Sequence, residues 1–87
     1  MSSTIKVPSL LKKYTNGEEL LEVTGYSPME CLTNLTAQFP SLRRWLYNKQ
    51  GEVATHVHIL INRKQASVDE LLNDGDELLI LLAVSGG

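Results

Sequence analysis

Four groups of residues in this sequence carry chemistry beyond packing. The first is Ser85-Gly86-Gly87. Read as the natural terminus, Gly87 is expected to present an α-carboxylate with a pKa near ~3.5, ionised at neutral pH. Such a carboxylate can attack the α-phosphate of ATP when another protein supplies nucleotide and metal. Glycine has no Cβ, so Gly86 and Gly87 fit a channel too narrow for other residues. The second is Cys31, one turn into a predicted helix, where a thiol pKa can fall; the competing assignment is a small buried core residue. The third is His56 and His58, two apart as on one strand face. They offer two metal ligands but no third, and exposed edge histidines account for them as well. The fourth is Arg43-Arg44 with Trp45 and Tyr47, which pairs cations with stacking rings as single-stranded nucleic acid requires. That cluster is short and isolated, and a solvated helix face explains it better. No Ser/His/Asp arrangement, phosphate-binding glycine loop or paired catalytic carboxylates stand out.

These groups depend on the elements that hold them. Thr4-Ile5-Lys6-Val7 alternates polar and apolar, predicting a half-buried strand that Pro8 ends. Asn16-Gly17 is a turn signal because both residues accept positive φ. Glu18 to Val23 is expected to return as an antiparallel strand after a wide loop. Ser27 is positioned as an N-cap, Pro28 as N1 and Glu30 as the third member of a capping box, with Tyr26 and Cys31 as a hydrophobic staple. Met29, Leu32, Leu35, Thr36 and Phe39 recur at helical spacing and predict the core face, and Pro40 stops the helix. Leu42, Trp45 and Leu46 suggest one short helical turn. His56 to Asn62 reads as a third strand, Asn62 to Gln65 as a turn, and Val68 to Leu72 as a short helical piece. Asp74-Gly75-Asp76 is a tight turn, and Glu77 to Val84 is an apolar strand. The order predicts a small α+β roll, one mixed sheet with its helix on one face.

The last strand is apolar throughout, whereas a strand with one wet face alternates. Leu78, Ile80 and Leu82 are expected to point one way, and Leu79, Leu81 and Ala83 the other. With one substantial helix, only one sheet face can be covered. The other is expected to expose apolar side chains, as partner surfaces do, unless the segment around Trp45 covers it. Residues 84–87 follow as a flexible tail that reaches about 13 Å when extended.

Composition limits the possibilities. At 87 residues the chain suits one domain, 1–87, with a thin core and little room for a self-contained active site. With 43% apolar and 21% charged residues it is not a disordered chain. Eight basic against ten acidic residues give a net charge of −2, which argues against general nucleic-acid binding. All the bases lie at or before Lys64. Asp69, Glu70, Asp74, Asp76 and Glu77 follow with no base, either to meet a basic partner or to cap turns. A single cysteine excludes an internal disulfide. No apolar leader opens the chain and no run spans a bilayer, so a cytoplasmic protein is expected, with no membrane partner.

Leu72-Asn73-Asp74-Gly75-Asp76-Glu77-Leu78, the strand Ile80-Leu81-Leu82 and the ending Ala83-Val84-Ser85-Gly86-Gly87 resemble the ThiS/MoaD-type sulfur carriers of the ubiquitin-like superfamily. Val57-His58-Ile59-Leu60-Ile61-Asn62 fits that family's strand ending in Asn. The resemblance implies a ubiquitin-like β-grasp, a mixed sheet of four to five strands with one main helix packed on one face. It also implies a carrier that acts as co-substrate rather than as an enzyme. A ubiquitin-activating-type enzyme, using ATP and magnesium, would adenylate Gly87. Sulfur would then replace the adenylate, and the resulting thiocarboxylate would be delivered to a sulfur-accepting biosynthetic enzyme. No cofactor is expected on the carrier itself. Carried over by position, Gly87 bears the sulfur and Gly86 is the narrow approach. Leu60, Leu79, Leu81, Ala83, Val84 and Ser85 are the partner-binding positions.

The chain departs from the molybdopterin-synthase branch, which has prolines before the final valine, by carrying Leu82-Ala83 there. Molybdopterin, thiamine-thiazole and cysteine or homocysteine pathways all remain open. The Phe39 to Thr55 insertion resembles the longer MoaD-like members. Three other assignments share many of these features: a modifier joined to lysines through Gly87, a non-catalytic synthase subunit, and a plain binding module.

Overall fold

The helix at residues 28–38 forms because its first turn is capped from outside. In the computed structural model, which describes residues 2–83, α1 runs Pro28–Gln38, with Ser27 extended at the N-cap and Pro28 opening the first turn. The Ser27 hydroxyl accepts from the Glu30 amide at 3.3 Å. The return arm of the capping box reaches one residue further back than expected: Glu30 Oε1 accepts from the Tyr26 amide at 2.8 Å. Caps of this kind are worth about 1 kcal/mol. Pro40 stops α1, and a 3-10 turn (Pro40–Leu42) leads into α2 (Arg43–Leu46).

The strands are β1 (Ser2–Lys6), β2 (Leu20–Thr24), β3 (Val57–Ile61), β4 (Lys64–Gln65) and β5 (Glu77–Leu82), in the sheet order β2-β1-β5-β3-β4. β1 and β5 are parallel, and every other pairing is antiparallel. The loop from β1 to β2 contains a 3-10 helix (Ser9–Tyr14) and then turns at Asn16 and Gly17, both at positive φ. Asn62 and Arg63, at φ 51° and 72°, form the two-residue turn between β3 and β4. Left-handed backbone at both central positions matches the twist of the strands it joins.

Strand alternation fixes the core. Ile5, Leu78 and Ile80 enter it from the sheet, and Leu32, Leu35, Leu42 and Leu46 enter it from the helical layer, all at 1% exposure or less. The segment around Trp45 therefore packs on the same side as α1, with Trp45 against the Tyr14 ring at 6.1 Å. Among the described residues, the opposite sheet face is left uncovered.

Three expectations are corrected. Val68 to Leu72 is not helical. Its backbone is committed elsewhere, since the Val68 carbonyl accepts from Met29 N and the Leu72 amide donates to the Tyr26 carbonyl. Leu72 is buried as the anchor of an irregular strap. The Tyr26–Cys31 staple does not bury its ring, because Tyr26 is 60% exposed. Gly25, not Tyr26, lies against Cys31, where a Cβ would sit 2.9 Å from its amide nitrogen and its Sγ. Met29 lies on the outer side of α1, exposed, because the strap meets α1 through its backbone. The bounds of β1, β2 and β3 differ by one or two residues from those expected, whereas β5 starts at Glu77 as expected and runs to Leu82, its expected end at Val84 lying outside the described residues.

Candidate functional site

The uncovered sheet face collects the residues that β3 and β5 turn away from the core. Leu60 lies opposite Leu79, and His58 lies opposite Leu81. Directly opposed side chains of an antiparallel pair approach to about 5 Å, so Leu60, Leu79 and Leu81 form one apolar surface with His58 at its margin. Leu79 is also level with Lys6 on β1, and Lys6 lies opposite Leu20 on β2. Leu20 is 59% exposed and Leu81 44%, while Leu60 and Leu79 are half-buried. The structure thus brings together three of the residues expected at a partner surface. It adds Leu20, which sequence reasoning missed. Leu20 alternates correctly with the polar Glu22, but only the β1–β2 register places it on this patch.

The end of β5 is tied back to the sheet. Ala83, exposed, donates its amide to the His56 carbonyl at 2.7 Å. The His56 ring turns the other way, its Nε2–H donating to the Trp45 carbonyl at 3.0 Å. His56 therefore braces the segment from Phe39 to Thr55, leaving His58 on the open face. Among the described residues no three His, Cys, Asp or Glu side chains converge to hold a metal ion. Val84, Ser85, Gly86 and Gly87 lie outside the described residues, and the roles expected for them follow from sequence alone.

Cys31 is fully buried, and burial pushes its thiol pKa up, with the Glu30 carboxylate raising it further. This is the opposite of an activated thiol. Most of the acids beyond Lys64 serve turns. Asp76 accepts from Asn62 Nδ2 at 3.0 Å and from the Asn73 amide at 2.8 Å, Asp74 accepts from the Ser2 amide, and Asp69 accepts from the Ser67 hydroxyl. Asn62 Oδ1 accepts from the Glu77 amide, so this network also fixes the start of β5. Among the described residues no helix is long and apolar enough to cross a membrane.

A five-stranded mixed sheet holding one main helix, with β1 and β5 parallel at its centre, is a ubiquitin-like β-grasp. The ThiS family model matches residues 5–87, and the chain belongs to that family. Over 93 aligned positions covering all of both chains, it is 26% identical to the sulfur carrier protein CysO of Mycobacterium tuberculosis. The crystal structure of small archaeal modifier protein 1 (SAMP1) from Haloferax volcanii superposes with a TM-score of 0.90 at 27% identity, again over all of both chains. A structure of the BexX/CysO complex from Amycolatopsis orientalis matches in fold, with a TM-score of 0.85 at 24% identity, covering 98% of this chain and 99% of that one.

Proposed function

We propose that this protein is a sulfur carrier whose working group is the carboxylate of Gly87. The observation that carries the proposal is the end-to-end match to a relative named as a sulfur carrier, within a family model that extends to Gly87 itself. In this reading an adenylating partner binds ATP and magnesium, and a Gly87 carboxylate oxygen attacks the α-phosphate, releasing pyrophosphate. A sulfur nucleophile then adds at the acyl carbon and AMP leaves with the bridging oxygen, giving a thiocarboxylate. An acceptor enzyme takes the sulfur onward. The chain contributes no acid, base or metal to these steps. It contributes the Gly87 carboxylate and, in Leu60, Leu79 and Leu81, a surface the partners can grip.

Anchoring favours this division of labour. Ala83 is hydrogen-bonded to His56, so four residues, 84–87, separate a fixed point from the reacting atom. Gly86, having no Cβ, would permit close approach of channel walls, and Val84 and Ser85 are proposed as partner-binding positions. Cytoplasmic ATP suits this chemistry.

A second reading, conjugation of Gly87 to lysine side chains of other proteins, is favoured by the likeness to small archaeal modifier protein 1. One experiment separates the two. Intact mass of the protein from its native cells is expected to show one oxygen replaced by sulfur at Gly87. Branched lysine peptides in place of that species would assign it to the modifiers, and neither product would remove both readings.

A further inference from the structure

A concavity among the described residues lies on the helical side, away from the sheet face already described. It has a volume of about 790 Å³ between the outer side of α1, α2 and the 47–51 loop. Met29, Thr33 and Ala37 form one wall, and Arg43, Arg44 and Lys49 supply three cations. No acidic residue lines it.

Its rim is a built structure. Tyr47 bridges Val53, the Asn48 amide donates to the Glu52 carbonyl, and Asn48 Oδ1 accepts from the amides of both Gln50 and Glu52. Gly51, at φ 81°, closes the turn. Lys49 thus sits on a preorganised tip and not on a loose arm, which lowers the entropy cost of using it. The carbonyl end of α1 contributes about half a negative charge nearby, far less than three full positive charges.

We infer that this groove is a second docking site and that its occupant is an acidic polypeptide segment carrying an apolar side chain. Charge complementarity selects the acid residues, and the Met29–Ala37 wall selects the apolar one. Nucleic acid fits less well. Phosphate-ladder binding needs a basic face, and this chain is net negative, with its remaining surface rich in carboxylates. A partner seated here leaves the Leu60, Leu79 and Leu81 face free, so the protein can be held on one side while another partner engages the other. The inference does not depend on what Gly87 carries.

The test is a fluorescence titration with a short synthetic peptide of Asp, Glu and Leu, read alongside amide shifts in a two-dimensional NMR spectrum of the full chain. Saturable, salt-sensitive binding is expected, with shifts confined to the outer side of α1 and to residues 43–51. Arg43→Glu/Arg44→Glu is expected to weaken binding by about tenfold or more, because attraction becomes repulsion. Lys49→Glu, at a solvent-exposed loop tip, supplies the same comparison should the double variant fold poorly. Leu81→Glu is expected to bind as wild type. Absence of saturation, equal binding by the charge-reversed proteins, shifts centred on Leu60, Leu79 and Leu81, or tighter binding of a single-stranded oligouridine would each overturn the inference.

Discussion

The amide of Ala83 donates to the carbonyl of His56 at 2.7 Å, and the His56 ring in turn holds the Trp45 carbonyl. Two residues that flank neighbouring strands, one just before β3 and one just after β5, thus tie the end of β5 to the insertion between α1 and β3. Ala83→Pro removes that donor. Because Ala83 is exposed and terminal to β5, the expected stability loss is about 1 kcal/mol. Under the proposed function, loading of sulfur by an adenylating partner is expected to fall much further, since the described tie nearest Gly87 in the chain is lost. Thermal melting and thiocarboxylate formation, measured on the same preparation, check the split.

The open face makes a complementary prediction. Leu81→Glu and Leu60→Thr alter side chains that point away from the core, so stability is expected to change by about 1 kcal/mol or less. Under the proposed function, affinity for an adenylating partner is expected to drop about tenfold or more, because a charge or hydroxyl would have to be desolvated at an apolar contact. Calorimetric titration against that partner, with unfolding curves as control, decides it.

Gly25 predicts a stability effect with no functional content. A Cβ there would meet Cys31 N and Sγ at 2.9 Å, and the backbone nitrogen cannot move without disturbing the first turn of α1. Gly25→Ala is expected to cost about 1–3 kcal/mol, read as a lowered denaturant midpoint with an unchanged slope.

Cys31 predicts a pH dependence. Its folded pKa is raised by burial and then by Glu30, so the thiol stays protonated in the native state where an unfolded thiol ionises. The associated stability is complete below the ordinary thiol pKa and is lost as pH rises through that range and beyond. Urea midpoints of the wild type are expected to decline on the alkaline side more than those of Cys31→Ala. Iodoacetamide is expected to label Cys31 only upon unfolding, as intact mass would report.

Much of this architecture was legible because the local signals were strong and mutually consistent. Ser27-Pro28 with Glu30 set the start of α1 and Pro40 its end, and Asp74-Gly75-Asp76 turned the chain into an apolar strand. The alternation within residues 78–83 separated a core face from an open one before any pairing was known. Val68 to Leu72 failed because its helical spacing competed with backbone bonds to Tyr26 and Met29, which are distant in sequence. Tyr26 was misassigned for a related reason: Gly25 brings the backbone against Cys31 and leaves the ring outside.

By itself the sequence determined the order of β1, β2, α1, β3 and β5 and the two faces of β5, and it put the glycine-ended segment, proposed to carry the chemistry, after that strand. These follow from side-chain type and spacing along one chain. Only the tertiary structure decided that Leu20, Leu60, Leu79 and Leu81 share one surface, that His56 braces Trp45 while His58 faces outward, and that Arg43, Arg44 and Lys49 ring a common groove. Strand register and layer packing arise from contacts between residues far apart in the chain, and local spacing does not encode which of them meet.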